Sequence, residues 1–335
     1  MQGFPTVSVI IPTYNCASYL GVAIDSALAQ TYQNVEIVVV DDGSTDDTRR
    51  LLAPYGDKIS YYYENQSGVP AARNVGVQHA QGDLIAFLDA DDIWFPEKLS
   101  TQVGALLQFP EAGLVFSDKR AFDAGGVIID AYFHSLGNWF ERHRIGKTDV
   151  AYGWLYRELL NANDITTSSA LVRKDVLEKV GPLDEILRMG DDYDLWLRIA
   201  REYKLIFINQ VLTEYRVQPN GLSGCVDIRH YRWASARIKV HEKHLQKEWV
   251  PVESRSLVKQ MLAQECWELG VCYFTRNFLR EARAYFRQSL KYRAYDFRAW
   301  IYWGASFLPL PVVAIIRAAK RSVTRGMALR KAATS

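Results

Sequence analysis

The sequence predicts an α/β fold, a mostly parallel, doubly wound sheet followed by a C-terminal helical appendage. Three observations predict it. Between residues 7 and 94, short β-branched runs alternate with helically spaced apolar residues, the order of a sheet wound with crossover helices. Two of those runs break into acids, at Asp41-Asp42 and at Asp89 to Asp92. Strands that deliver carboxylates to the ligand-binding edge of an open sheet end this way. From about Asp227 onward only helical periodicity remains. The expected organisation is an α/β domain over residues 1–226, a helical appendage over 227–316 and a basic tail over 317–335.

Taken in order, residues 7–11 form a β-branched run ending at Pro12, hence a buried strand, with Thr13, Tyr14 and Asn15 as the loop behind it. Residues 17–30 place Leu20, Ala23, Ile24, Ala27 and Leu28 on one helical face. Residues 35–40 make the second strand, and Ser44 or Thr45 stands where it can cap the next helix. A third strand over 59–63, a helix over 69–79 carrying Arg73 and Asn74, and a fourth strand over 83–88 follow. Pro96 opens a helix reaching residue 109. A strand over 113–117 and a hairpin over 122–129, turning at Gly125-Gly126, come next. Residues 134–150 are polar, aromatic and irregular, a long loop. Beyond it we expect a helix over 152–160, a strand over 166–172, a helix to Val180, a helix over 189–203 and strands over 204–209 and 211–216. The appendage reads as helices over 228–247, 253–274, 278–292 and 296–307.

The composition, 49% hydrophobic and 23% charged, is that of a globular chain long enough to bury a sizeable core. A formal net charge of +2 gives no reason to expect a nucleic-acid partner. No basic n-region precedes the first strand, so a secretory signal is not expected and a cytoplasmic setting is. Cys16, Cys225, Cys266 and Cys272 are scattered without zinc-ligand spacing and read as free thiols. The G-x-G-x-x-G fingerprint and the Walker A lysine loop are both missing after the first strand. A bound nucleotide would therefore be held by carboxylates and a metal rather than by a glycine cradle.

Two acidic stretches carry the chemistry. In GDLIAFLDADDIW (82–94), an apolar strand delivers Asp89, Asp91 and Asp92 to one turn. Converging oxygen ligands suit Mg²⁺ or Mn²⁺, especially where a diphosphate completes the shell; a solvated acidic turn is the plainer alternative. In MGDDYDLWLRIAREY (189–203), Asp191 and Asp192 start a helix, where acids are favoured by the macrodipole alone. The functional alternative is that one of the two is a general base.

The ordered set VSVIIPTYN (7–15), VVVDDGSTD (38–46), ARNVG (72–76), IAFLDADD (85–92), TSSALVR (167–173), VGPLDE (180–185) and GDDYDLW (190–196) resembles the family 2 inverting glycosyltransferases of GT-A fold. The resemblance covers roughly residues 7–223. It implies sugar transfer from a nucleotide-diphosphate donor with inversion at the anomeric carbon. It implies that Pro12 to Tyr14 line the base pocket, that Asp42 or its neighbour Asp41 bonds the base or ribose, and that Arg73 reaches the base or phosphates. Asp89 would hold the ribose or sugar, and Asp91 would ligate the metal. Asp191 stands where the family usually has Glu, and Asp192 at the position favoured as base. Arg216 and Gln218 fall in a loop near the diphosphate, with Gln218 replacing the usual histidine.

Residues 265–290, with Trp267, Leu269, Gly270, Tyr273, Ala282 and Phe286, resemble one tetratricopeptide-like helix pair, suited to packing on the catalytic domain or to holding a partner. Residues 299–316 carry no charge but include Pro309 and Pro311, and residues 317–331 carry six basic residues and no acid. This pairing fits association with an anionic membrane surface through 299–331; a core helix with a solvated tail fits it too. The resulting expectation is a metal-dependent transferase, most simply UDP-sugar-using, that extends a surface polysaccharide or lipid-linked glycan on the cytoplasmic face. A sugar nucleotidyltransferase is the enzymatic alternative, but it needs a glycine-rich basic loop that IPTYNCASYL lacks. An inactive nucleotide-sugar-binding scaffold is the other, and the presence of Asp91, Asp191 and Asp192 argues against it.

Overall fold

The computed structural model describes residues 4–136, 150–161, 163–218 and 226–308. It divides into two compact units, Met1–Arg229 and His230–Ser335. The helix Val226–Gln246 runs across the boundary expected at residue 227.

The first unit is built on one sheet. Its strands are β1 (Val7–Thr13), β2 (Val35–Asp41), β3 (Ser60–Tyr63), β4 (Leu84–Phe87), β5 (Ile93–Trp94), β6 (Ala112–Asp123), β7 (Gly126–Ile129), β8 (Val150–Gly153), β9 (Ala170–Arg173) and β10 (Lys204–Arg216). The order is β3-β2-β1-β4-β9-β6-β10-β5, with β7 on β6 and β8 on β10. β3, β2, β1 and β4 are parallel, as are β6 and β10. β9 runs antiparallel to both β4 and β6, and β5, β7 and β8 are antiparallel too, so the sheet is mixed. An apolar run announces a strand buried on both faces but not its direction, which is why the reversal at β9 is not legible in the sequence.

Period-2 alternation assigns β1 to both layers. Val7, Val9 and Ile11 pack with Leu20, Ala23 and Ile24 of the helix Ala17–Leu28. Ile10, on the opposite face, meets the helix Val69–His79 at Gly76, where a Cβ would lie 2.2 Å from the Ile10 Cγ2. Gly76→Ala is therefore expected to destabilise the chain. Overpacking of about 1–3 kcal/mol outweighs the gain of about 1 kcal/mol in helix propensity. The measurement is the urea midpoint at unchanged slope; an equal or higher midpoint would show that the helix moves off β1 without cost.

Four local expectations are corrected. Tyr152 lies in β8, not in a helix; the helix is Tyr156–Asn161. The expected strand over 166–172 starts with a 3₁₀ turn, Thr167–Ser169, before β9. Residues 204–216 form one strand with irregularities around Ile208 to Thr213, rather than two. Ser44 and Thr45 do not cap the helix Thr48–Leu52. The Ser44 hydroxyl accepts from the Asn15 amide and the Thr45 amide donates to the Asn15 side chain, while Asp46 takes the Thr48 amide. Most of the loop expected over 134–150, namely 137–149, lies outside the described residues.

The second unit contains most of the helix Val226–Gln246 and the helices Val252–Thr275, Leu279–Tyr292 and Phe297–Ala305. Phe274, Ala282 and Phe286 form its core with Trp267, Val271, Tyr302 and Trp303 around them. Gly270 lets two helices approach closely, because a Cβ there would lie 2.5 Å from the Phe286 ring. Glu265 is buried against Arg237 at 2.7 Å, and burial pushes its carboxyl up to about 7.

Candidate active site

The carboxyl ends of β1, β2 and β4 converge on one edge. Asn15, in a left-handed conformation (φ 50°), ties the loop after β1 to that after β2 through the Thr45 and Asp46 amides. Asp41 accepts from the Ser44 amide and the Tyr61 hydroxyl. Asp42 accepts from the Ser67 and Gly68 amides at 2.7 and 2.9 Å, and so fixes the start of the helix Val69–His79. Both carboxylates are buried and engaged with the protein. Pro12 lies on β1 opposite Val40, and the Tyr14 side chain is exposed at the edge.

Arg73 is the centre of the charge arrangement. Its guanidinium donates to Asp89 at 2.6 Å and to Asp191 at 2.8 Å, bridging the end of β4 to the start of the helix Asp191–Glu202. Burial alone would depress its pKa; Asp89 and Asp191 raise it above the ordinary arginine value. The neighbouring Asn74 ties the helix Val69–His79 to the loop before the helix Asp191–Glu202, since its side chain bonds both the amide and carbonyl of Leu183 and the Glu185 carboxylate. Arg198 completes the brace from Asp194 to the carbonyls of Val180, Gly181 and Pro182. The motifs ARNVG, VGPLDE and GDDYDLW are thus parts of one clamp.

Asp192 is 8% exposed, and its Oδ2 accepts from the Thr167 hydroxyl at 3.0 Å. Burial pushes its carboxyl up to about 6, with the Asp191 charge adding to the rise and Arg73 opposing it. Asp191 is also raised by burial, against the pull of Arg73. The two acids at one helix start are therefore unlike: Asp191 is held by Arg73, and Asp192 by a neutral hydroxyl.

Asp91 and Asp92 divide in the same way. Asp92 is fully buried, accepting from the Ser168 hydroxyl at 2.6 Å and from the Arg216 amide at 3.0 Å. Asp91 stays half-buried and accepts from Gln218 Nε2 at 2.6 Å, while Arg216 Nε binds its carbonyl. Burial and the Asp89 charge raise the Asp91 carboxyl; burial, Asp91 and Asp89 raise that of Asp92. The Arg216 guanidinium lies over the rings of Phe122 and Tyr19. Cys16 faces the same acids, its thiol pushed up to about 11 by burial and by Asp91, Asp46 and Asp89.

Among the described residues, no three His, Cys, Asp or Glu side chains surround a common point. A divalent cation nevertheless fits. Asp91 supplies a hard oxygen donor, its carboxyl raised by burial and by the Asp89 charge beside it. Mg²⁺ sites of one or two carboxylates completed by substrate phosphates are common. Hydrogen bonds gather these residues into three groups: Arg73 with Asp89 and Asp191, Asp91 with Arg216 and Gln218, and Asp192 with Thr167.

Thr167, Ser168 and Lys119 stand beside these groups without having been singled out for a role from the sequence, and Asp92, expected among the converging oxygen ligands, is taken up by the Ser168 hydroxyl and the Arg216 amide. Ser168 links Asp92 to the Asp89 amide. Lys119 on β6 bonds the Thr166 hydroxyl and lies over the Tyr132 ring. The one available signal was the polar run Thr166 to Ser169 inside an otherwise apolar strand pattern. Behind the site, the Trp94 indole donates to the Ser168 carbonyl at 2.8 Å, and buried Lys98 lies over the Trp94 ring.

The model of the family described as "Glycosyl transferase family 2" matches residues 8–181. The chain belongs to that family. It is 36% identical over 217 residues to an uncharacterized glycosyltransferase of Rickettsia typhi, covering 64% of each chain. It is 32% identical over 223 residues to the Escherichia coli UDP-Glc:alpha-D-GlcNAc-diphosphoundecaprenol beta-1,3-glucosyltransferase WfaP, covering 65% of this chain and 79% of the relative. The match spans less than two thirds of the Rickettsia typhi relative and 34% of a Rickettsia felis glycosyltransferase. In fold, the mannosyltransferase PcManGT of Pyrobaculum calidifontis, solved with GDP-Man and Mn2+, superposes with a TM-score of 0.62 at 20% identity, covering 96% of this chain and 81% of that one. Staphylococcus aureus TarS 1–349 with UDP gives 0.54 at 18% identity over 86% and 89%. The fold of this family 2 chain is GT-A, a mixed α/β sheet with a C-terminal helical region.

Proposed function

We propose that this family 2 chain is an inverting glycosyltransferase that moves a sugar from a nucleotide-diphosphate donor, most simply a UDP-sugar, to a hydroxyl of a lipid-linked glycan in surface polysaccharide synthesis. The observation that carries the reading is the division of labour between the two acids. Asp191 is ion-paired to Arg73, leaving Asp192, near neutral pKa and beside Thr167, as the one suited to take a proton. The relative acting on a diphosphoundecaprenol-linked sugar supports the acceptor class.

Asp192 accepts the acceptor hydroxyl proton as that oxygen bonds the anomeric carbon from the face opposite the leaving group. The bond from the anomeric carbon to the phosphate oxygen breaks, and the nucleoside diphosphate departs with the electron pair. Inversion follows from a single displacement. Asp91 is the residue assigned to hold Mn²⁺ or Mg²⁺, which when bound would offset the charge gained by the leaving diphosphate. Arg216 and Gln218 steady Asp91 through its carbonyl and its carboxylate. Asp89 and Arg73 orient the ribose, sugar and phosphates, and Pro12, Tyr14, Asp41 and Asp42 form the rim of the base pocket. The composition of residues 299–331 supports work at the cytoplasmic membrane surface.

The test is nucleoside diphosphate release from UDP-, GDP-, dTDP- and CDP-sugars with Mn²⁺ and lipid-linked acceptor, read from about pH 5 to 9. Release from one donor class is expected, with an acid limb near pH 6 because Asp192 must be ionised to act. Release from none of them would overturn the reading.

A further inference from the structure

The helix Phe297–Ala305 is two-faced. Ala299 is fully buried, and Tyr302 and Trp303 pack on Phe274 and Phe286. The other face exposes Phe297, Trp300 and Ile301 at 70, 50 and 62%, continued by Phe307 and Leu308 at 56 and 39%. Within the helix the spacing 297, 300, 301, 304 is that of a single stripe, and Phe307 and Leu308 follow it in the turn beyond Ala305. Apolar residues scattered singly on a surface need no explanation, but a contiguous aromatic stripe does.

Two basic side chains border it: Arg283 lies over the Phe307 ring at 4.5 Å, and Arg298 is drawn to Asp296. The Trp300 indole N–H donates to the Ala294 carbonyl at 2.8 Å, so the ring offers its apolar body outward. Arg298 is the only charged residue between 297 and 308, and it is tied to Asp296 at 2.8 Å and lies over Trp267. The chain after Leu308 runs on for 27 residues that include Arg317, Lys320, Arg321, Arg325, Arg330 and Lys331 and no acid. An apolar aromatic stripe continued by basic chain of one sign matches an anionic bilayer surface. Aromatic rings favour the headgroup boundary, and each basic residue near the surface adds attraction. Among the described residues, no helix is long and apolar enough to cross a membrane.

We propose that the face formed by Phe297, Trp300, Ile301, Phe307 and Leu308 docks on an anionic lipid bilayer, seating in the headgroup boundary. This deepens the membrane part of the proposed function and is independent of its donor chemistry. Failure of the docking leaves nucleoside diphosphate release intact, and failure of the transferase reading leaves vesicle binding intact.

The test is flotation of the full chain with phosphatidylcholine vesicles, with and without about a quarter phosphatidylglycerol, at low and high salt. Binding is expected with the anionic vesicles only, and it should weaken in high salt. The exposed double variant Trp300→Glu/Ile301→Glu should lose at least tenfold in partitioning at an unchanged melting temperature. Ile301→Lys separates insertion from charge attraction: it should bind more weakly than wild type although it adds a positive charge. No flotation of the wild-type chain, or tighter binding by Ile301→Lys, would overturn the proposal. So would a self-association abolished by the double variant in a chain that ignores vesicles, which would make the face a contact between copies.

Discussion

Asp192→Asn is expected to lower sugar transfer by about 10²–10⁴-fold, the range of a lost general base, while donor affinity stays at the wild-type value. The substitution preserves size and the hydrogen bond from Thr167 but removes the proton acceptor. Its melting midpoint near pH 8 should not fall. Burial raises the Asp192 pKa above its unfolded value, so this group favours the folded state below about pH 4, and that contribution is lost as pH rises through about 6. An uncharged side chain escapes that loss. Asp191→Asn is expected to differ, because it unpairs the Arg73 guanidinium and disturbs donor binding as well as turnover. Full activity in Asp192→Asn, or selective loss of turnover with normal donor binding in Asp191→Asn, would assign the base to the other carboxylate.

Arg73→Met is expected to cost about 3–5 kcal/mol of stability at pH 7. Breaking a buried ion pair leaves its partners uncompensated, and here one cation serves two carboxylates. The penalty should depend on pH. Without Arg73, the Asp191 carboxyl rises further above its unfolded value. The variant is then closest to wild type near pH 4 and falls behind as pH rises through the folded pKa. Denaturant midpoints of both proteins across that range give the answer. A deficit independent of pH would mean that Arg73 acts through packing, and no deficit would remove it from the centre of the site.

Much of this arrangement is legible in the sequence because each part has a local signature. β1, β2 and β4 are short apolar runs with abrupt polar ends, and the acids that follow β2 and β4 stand at the sheet edge. The helix Val69–His79 has the limits its pattern suggests. Partnerships between distant segments have no such signature. That Arg73 joins Asp89 to Asp191, or that Ser168 joins Asp92 to the Asp89 amide, depends on β9 reversing direction between β4 and β6. Nothing in ALVR encodes that direction. Gln218 shows the same limit. The resemblance implies a place near the diphosphate for it, but its bond to Asp91 required the irregular course of β10 to be known. Asp41 and Asp42 look alike in sequence, yet one binds Tyr61 and the other the Ser67 and Gly68 amides, because β3 and the next helix start approach them from different sides.

The account rests on a nucleotide-diphosphate site organised by Asp91. Its most direct test is calorimetric titration of UDP, GDP, dTDP and CDP into the wild-type chain and Asp91→Ala, each with Mn²⁺ and with chelator. The account predicts that one diphosphate binds the wild-type chain tightly only with the metal, and that Asp91→Ala loses that metal-dependent part. Equal affinity in all four conditions for the diphosphate that binds, or no binding by any of them, would contradict it.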